Sequence, residues 1–242
     1  MSESTEGSVP AASAKQPSFW EDAIEIFIHP ADVFRRRADK SVWPPMLFVS
    51  ITIGVITFAT YNTLIPIFEA EFARNTAKAM AKNPQMTQEM MDKSRDMFIN
   101  FGKYTIPFIF LITIFILGVV TWLVSKIVGA KTTFNQGLTV AAWSYFPRIL
   151  ASIAGGVQGL LMDPAKLNSQ LAISLSPARF MDPDKSNQLL FQLMGRFDLF
   201  TIWVTILLGI GIYVTGKITK ERAIVFAVLI WVIGSLPALR NG

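Results

Sequence analysis

Charged residues leave five long apolar stretches along this chain: Ser41–Phe68, Tyr104–Ser125, Thr132–Met162, Leu199–Gly216 and Ala223–Leu239. Four are free of charge, and Thr132–Met162 carries only Arg148. A lipid-spanning helix needs about 20 mainly apolar residues, with a range of roughly 17–25, and all five stretches reach that range. Within them, runs such as FIFLITIFILGVV (Phe108–Val120) are apolar on every face. The two-residue alternation of a membrane β-barrel strand is missing, so each crossing has to satisfy its backbone internally as a helix. The fold class expected is all-α: a polytopic membrane protein with five transmembrane helices, at about 44–67, 104–126, 137–162, 198–216 and 222–239.

The segment before the first stretch behaves differently. Ser18 and Glu21 have the spacing of a helix-capping box. Trp20, Ala23, Ile24, Phe27 and Ile28 fall on one helical face, with Glu21, Asp22, Glu25 and His29 largely opposite. This predicts a short amphipathic helix lying in the membrane interface, with Trp20 and Phe27 meeting the lipid surface. Arg35, Arg36 and Arg37 follow as a basic cluster, read as a topology signal that touches anionic lipid or as a docking point for a protein partner. Residues 1–17, rich in Ser, Ala and Gly, lack an apolar core and read as a disordered tail rather than a cleavable signal.

The long loops carry helical spacing of their own. Phe68, Phe72, Ala77 and Met80 continue the first stretch outward, and Met90, Met97 and Phe101 lead back into the second across Asn83-Pro84. The methionines suit adaptable apolar packing better than soft-metal binding. Asp163-Pro164, Ser176-Pro177 and Asp182-Pro183 mark turns or helix starts in the other long loop. Leu189, Leu190, Leu193, Met194 and Phe197 then form an amphipathic approach to the fourth crossing.

Composition supports this frame: 52% of the 242 residues are hydrophobic and 16% charged, outside the usual range of soluble domains. The net charge of +5 suits loops beside anionic lipid and does not call for nucleic acid. With no cysteine and one histidine, His29, thiolate sites, histidine zinc sites and His-dependent triads lack material. No phosphate-binding glycine loop is present. Neither an enzyme nor a cofactor or metal is therefore expected. Basic residues crowd the crossing ends on the N-terminal side and are spread through long loops on the other, which places the N-terminus in the cytoplasm.

Arg148, directly after Pro147, is the main puzzle. A charge at mid-bilayer costs about 2.5–3.5 kcal/mol on insertion scales. Pro147 has no N–H, so the Trp143 carbonyl loses its helical partner, and the Arg148 guanidinium, with five donors, is available to satisfy that carbonyl or polar groups on a neighbouring crossing, such as Asn62. Alternatively the chain bends at Pro147 and Arg148 snorkels to the interface. A third alternative has Arg148 lining a cavity for an anion or lipid headgroup. Asp198, at the outer edge of the fourth crossing, is the nearest acid by depth but is expected to lie out of reach. In the same crossing as Arg148, Ala151, Gly155 and Gly159 form a small-xxx-small face suited to close helix packing.

The start HPADVF with Pro30 and Phe34, the five crossings, the proline of WSYFPRIL and the stretch DLFTIWVTILLGIG (Asp198–Gly211) together resemble the Yip family. The resemblance covers roughly residues 18–240. It implies a five-span domain with a cytoplasmic N-terminus and no known catalytic chemistry, whose eukaryotic members act in vesicle traffic and GTPase-linked membrane organisation. The family's Asp-Leu-Tyr-Gly-Pro motif is absent, and Ser144-Tyr145-Phe146-Pro147 echoes its Gly-Tyr-x-x-x-Pro element loosely. The chain looks closer to the bacterial branch, which points to the cell (inner) membrane, with a Golgi or ER membrane as the alternative. The expected partners are the lipid bilayer and other membrane or cytosolic proteins, with homo-oligomers left open. The expected role is membrane organisation or adaptor work. The alternative is a transporter, channel or lipid-moving protein with a polar cavity around Arg148.

Overall fold

A computed structural model describes residues 17–83, 85 and 87–241, with side chains described as far as Ala238. Of the tail expected over residues 1–17, only Pro17 falls within it. Among the described residues every element is helical. The order is α1 (Phe19–Glu25), α2 (Pro30–Arg37), α3 (Trp43–Lys82), α4 (Gln88–Ile127), α5 (Phe134–Ser144), α6 (Pro147–Leu161), α7 (Gln188–Arg196), α8 (Leu199–Gly216) and α9 (Lys220–Asn241). Three 3₁₀ turns, at Pro164–Lys166, Gln170–Ile173 and Pro177–Phe180, occupy the loop before α7. Four helices, α3, α4, α8 and α9, are long and apolar enough to cross a membrane.

Helices α3 and α4 have 40 residues each, about 60 Å at 1.5 Å per residue and roughly twice a hydrocarbon core. Their far ends therefore leave the apolar layer as a paired hairpin. Phe98 meets Phe68 edge-on and stacks with Phe72, and Arg95 is paired with Glu69. Because the phenylalanines fill this seam, Met90 and Met97, expected as packing residues, stay exposed.

The crossing expected over 137–162 is not one helix. Pro147 supplies no N–H to the turn before it, and the backbone responds by tightening. Tyr145 N donates to Ala142 O at 3.3 Å and Phe146 N to Trp143 O at 3.4 Å. Helix α5 ends there, and α6 starts with Pro147 in its first turn, a favoured position. The Trp143 carbonyl, expected to need Arg148, has its donor within the backbone.

Helix α5 is the core of the bundle. A capping box between Thr133 and Gln136 starts it, and Val140, Ala141, Ala142 and Trp143 are buried. Leu138 lies against α4 at Gly118 and Val140 against α8 at Gly211. Such approaches need small residues because no hydrophobic effect pulls helices together in lipid, leaving close packing to hold them.

The N-terminal segment also departs from a single surface helix. Ser18 and Glu21 do form the capping box of α1, but Pro30 starts a separate helix, α2, with exposed His29 at its N-cap making no side-chain cap bond. The pair packs side-on against the bundle. Phe34 reaches α8 at Gly211, Phe27 meets Trp203 edge-on, and Phe19 contacts Phe48, Trp143 and Phe146. Asp22, placed by periodicity on the polar face, is fully buried, because Arg36 and Arg37 both donate to its carboxylate. Two cations on one carboxylate offset the desolvation that would otherwise keep it outside.

Gly118→Ala tests the α4–α5 seam. An added Cβ would lie 2.5 Å from Leu138 Cδ2 and 2.9 Å from its Cα, and backbone cannot yield as a side-chain tip can. A loss of about 1–3 kcal/mol, read as a lower thermal midpoint in detergent, is expected. At Gly102, with ordinary contacts of 3.5 Å or more, the same change should leave the midpoint unchanged or raise it.

Candidate functional site

Height above the joined ends of α5 and α8 decides what Arg148 meets. From Phe134 to Arg148 the chain climbs about 21 Å, and from Gly216 back to Thr201 about 22 Å, at 1.5 Å per residue. The lower ends of α5 and α8 are joined, with Lys131 N donating to Gly216 O at 3.0 Å. Arg148 consequently meets the first turn of α8 instead of its middle, and Arg148 Nη2 donates to Thr201 Oγ1 at 2.8 Å.

Asp198, expected to be out of reach, is 3.6 Å from Arg148 Nη1 through Oδ1. The sequence reading places Arg148 near the middle of one long crossing, but its height above the joined lower ends matches that of Thr201, in the turn that Asp198 caps. Asn62 is exposed, and the guanidinium of Arg148 turns to Thr201 and Asp198 instead. The Asp198 carboxylate already has other duties. Oδ1 accepts from Phe200 N at 3.1 Å, Thr201 N at 3.0 Å and Thr201 Oγ1 at 3.3 Å, capping α8. Oδ2 accepts from Leu175 N at 2.9 Å, tying down the 3₁₀ loop. It is primarily a helix cap and loop anchor, with Arg148 held by charge.

Arg196, which the sequence pattern did not single out, is the second cation here. It ends α7 two residues before Asp198 and is half-buried. Burial lowers its guanidinium pKa, nearby Arg148 lowers it further, and Asp198 opposes both. The Nε atoms of Arg148 and Arg196 are both buried without a hydrogen-bond partner. The signal that could have found Arg196 is its position, a basic residue ending an amphipathic helix immediately before the cap of a crossing.

Both arginines and Asp198 line a cavity of about 670 Å³. Helix α3 contributes Thr57, Thr60 and Leu64, and α4 contributes Thr105, Ile106 and Phe110. The loop and α7 close it on the side away from α5 through Leu171, Ile173 and Gln192. Of the small-xxx-small face, Ala151 and Gly155 line this cavity, with Gly155 against Ile173, while Gly159 packs on Leu64 of α3. The closest α3–α6 approach falls at Gly156, where a Cβ would lie 2.8 Å from Thr60.

The N-terminal residues lie elsewhere. Trp20 is 64% exposed, and Phe27 is half-buried on Trp203. Arg35 is exposed and paired with Asp32. Arg36 joins Asp22 to Glu25, and Arg37 pairs with Asp22 while lying 5.9 Å from the Trp143 ring centroid. Burial would lower the Arg36 guanidinium, yet its hydrogen bonds to Asp22 and Glu25 hold it above its ordinary value. No group of three or more metal-ligating side chains occurs among the described residues.

A helical bundle with four helices able to cross a membrane among the described residues, a broken third segment and a docked N-terminal helix pair defines an integral membrane protein. Residues 24–239 match the Yip1 domain, and the chain belongs to that family. It is similar to Membrane protein YknW of Bacillus subtilis (strain 168), with 25% identity over 219 residues covering 90% of this chain and 88% of the relative. No solved structure matches it.

Thr201→Val would leave Arg148 Nη2 without its hydroxyl acceptor in a half-buried site. We expect a loss of about 1–3 kcal/mol, measured as a lower unfolding midpoint in detergent. Thr205→Val, removing a hydroxyl bonded only within α8, should change the midpoint far less.

Proposed function

We propose that this Yip1-family protein is a non-catalytic, five-segment component of the bacterial cell membrane. Its N-terminus is cytoplasmic, and it organises membrane or serves as an adaptor for partner proteins. One observation carries the adaptor role: the N-terminal helix pair is fixed to the bundle yet leaves an apolar edge uncovered. Phe34, Val33 and Asp22 are turned inward, while Trp20, Ile24 and Ile28, four residues apart, are 64–65% exposed. A flexible tether would not need two arginines paired with a buried carboxylate. A fixed surface for another helix or for the leaflet interface would.

In this reading α5 and α6 together make the third of the five crossings, with the break inside the layer. The alternative, a transporter, channel or lipid-moving protein, draws support from the cavity beside Arg148.

Orientation is open to test because the chain has no cysteine. A membrane-impermeant maleimide should label Lys185→Cys, at a position with an 86% exposed side chain, in intact cells or spheroplasts. Ser41→Cys, also exposed, should react only after the membrane is opened. The reverse pattern would overturn the orientation.

For the adaptor role, the tagged full chain should recover a stoichiometric protein partner from native membranes in mild detergent. Trp20→Ser with Ile24→Ser should reduce that recovery at least threefold without lowering the thermal midpoint. Failure to recover a partner across several mild detergents would sink the role.

A further inference from the structure

The cavity between α4 and α6 has a chemistry of its own, independent of whether the N-terminal helices dock a partner. Its wall at α6, α7 and α8 carries two guanidiniums, Arg148 and Arg196, against one carboxylate, Asp198. That carboxylate accepts three backbone N–H groups and one hydroxyl and stands 3.6 Å from Arg148 Nη1. It therefore supplies one negative charge to two positive ones, and its lone pairs are largely spoken for. Both cations line this cavity and are half-buried, so the site carries an unbalanced positive charge. Arginine forks are suited to oxyanions such as phosphate and carboxylate.

The facing wall carries no charge: Ile53 and Leu64 of α3 and Ile106, Ile109 and Phe110 of α4 give it an apolar surface, interrupted by Thr57, Thr60, Tyr61 and Thr105. Helices α4 and α6 both pack on α3 but make little contact with one another, so the cavity lies along an open seam between them. Ile109 belongs to the lining and is 54% exposed, which places it at the mouth of that seam. Leu150 and Ile153 of α6 and Phe108 and Ile112 of α4 are exposed nearby on the same helices, as lipid-facing positions are. The charged wall meets the first turn of α8, at the edge of an apolar crossing, where headgroups lie.

We propose that this cavity binds an anionic amphiphile, its oxyanion headgroup held between Arg148 and Arg196 and its hydrocarbon chain laid along α3 and α4 through the α4–α6 seam. A free oxyanion would satisfy the arginines but leave the apolar wall unused, and a neutral lipid would do the reverse. Arg148 supplies the fixed half of the clamp, pinned by Thr201. Arg196 supplies the other half from α7, which is already held on α9 by the Trp231 Nε1 bond to the Arg196 carbonyl at 3.3 Å, with the Arg196 guanidinium beside Gly234.

The test uses the full chain purified in a neutral detergent and examined by native mass spectrometry with dioleoyl phosphatidic acid or dioleoyl phosphatidylcholine. Parallel thermal-shift titrations use inorganic phosphate. Phosphatidic acid should be retained one to one, at least tenfold better than phosphatidylcholine. Arg148→Gln and Arg196→Gln should each lower that retention at least tenfold, while Arg148→Lys keeps a measurable part of it. Ala151→Phe, which fills the cavity without altering a charge, should also exclude the lipid. It covers the case in which either glutamine variant fails to fold. Equal retention of both lipids, or phosphatidic acid retention unchanged in a folded Arg148→Gln or Ala151→Phe protein, would overturn the proposal. So would saturable stabilisation by inorganic phosphate without retention of phosphatidic acid, which would mark a free-anion site.

Discussion

A single missing backbone hydrogen organises much of this protein. Because Pro147 cannot donate an N–H, the third apolar segment ends one helix at Ser144 and begins another at Pro147. That break lets α5 run through the core against α4 and α8, while α6 leaves in a new direction and packs on α3. Arg148, one residue beyond the break, comes to rest beside Thr201 in the first turn of α8. There it joins Asp198 and Arg196 at the edge of a cavity. The proline and the arginine after it are parts of one arrangement.

Much of the architecture was legible in the sequence because membrane helices announce themselves by length and charge-free composition. The paired outer ends of α3 and α4, the capping box at Ser18 and the turns at Pro164 and Pro177 follow from local rules of spacing and capping. Long-range pairing was not legible. Asp22 looked like a surface residue because helical periodicity describes one helix at a time, and its arginine partners belong to the next. Asp198 looked remote from Arg148 because depth was judged from the middle of the third stretch, without the height at which α8 begins. Gly156, one position from the small-residue face read from the sequence, meets Thr60 of α3, a contact set by where α3 lies and not by α6 alone. These failures share a cause: each residue's role depends on a second element whose direction the sequence does not state.

Asp198 links the loop to the cavity. One carboxylate caps α8, holds the loop through Leu175 N and stands beside Arg148. The cap and the loop anchor use hydrogen bonds from backbone groups, which cannot be replaced by side-chain substitution elsewhere. The pairing with Arg148 at 3.6 Å is the loosest of the three. Of these functions, the electrostatic one is the most readily reassigned to another anion.

The buried pairing of Asp22 with Arg36 and Arg37 has a consequence for how the molecule looks to the leaflet beside it. In the extended chain, Arg35, Arg36 and Arg37 are three adjacent charges with a strong pull on anionic lipid. In the folded protein two of them are turned onto Asp22 and Glu25, and the third is shared with Asp32. The folded helix pair therefore shows its surroundings a nearly neutral patch where the sequence reads as a basic cluster. With its arginines engaged internally, this face has little charge left over to hold acidic lipids beside it.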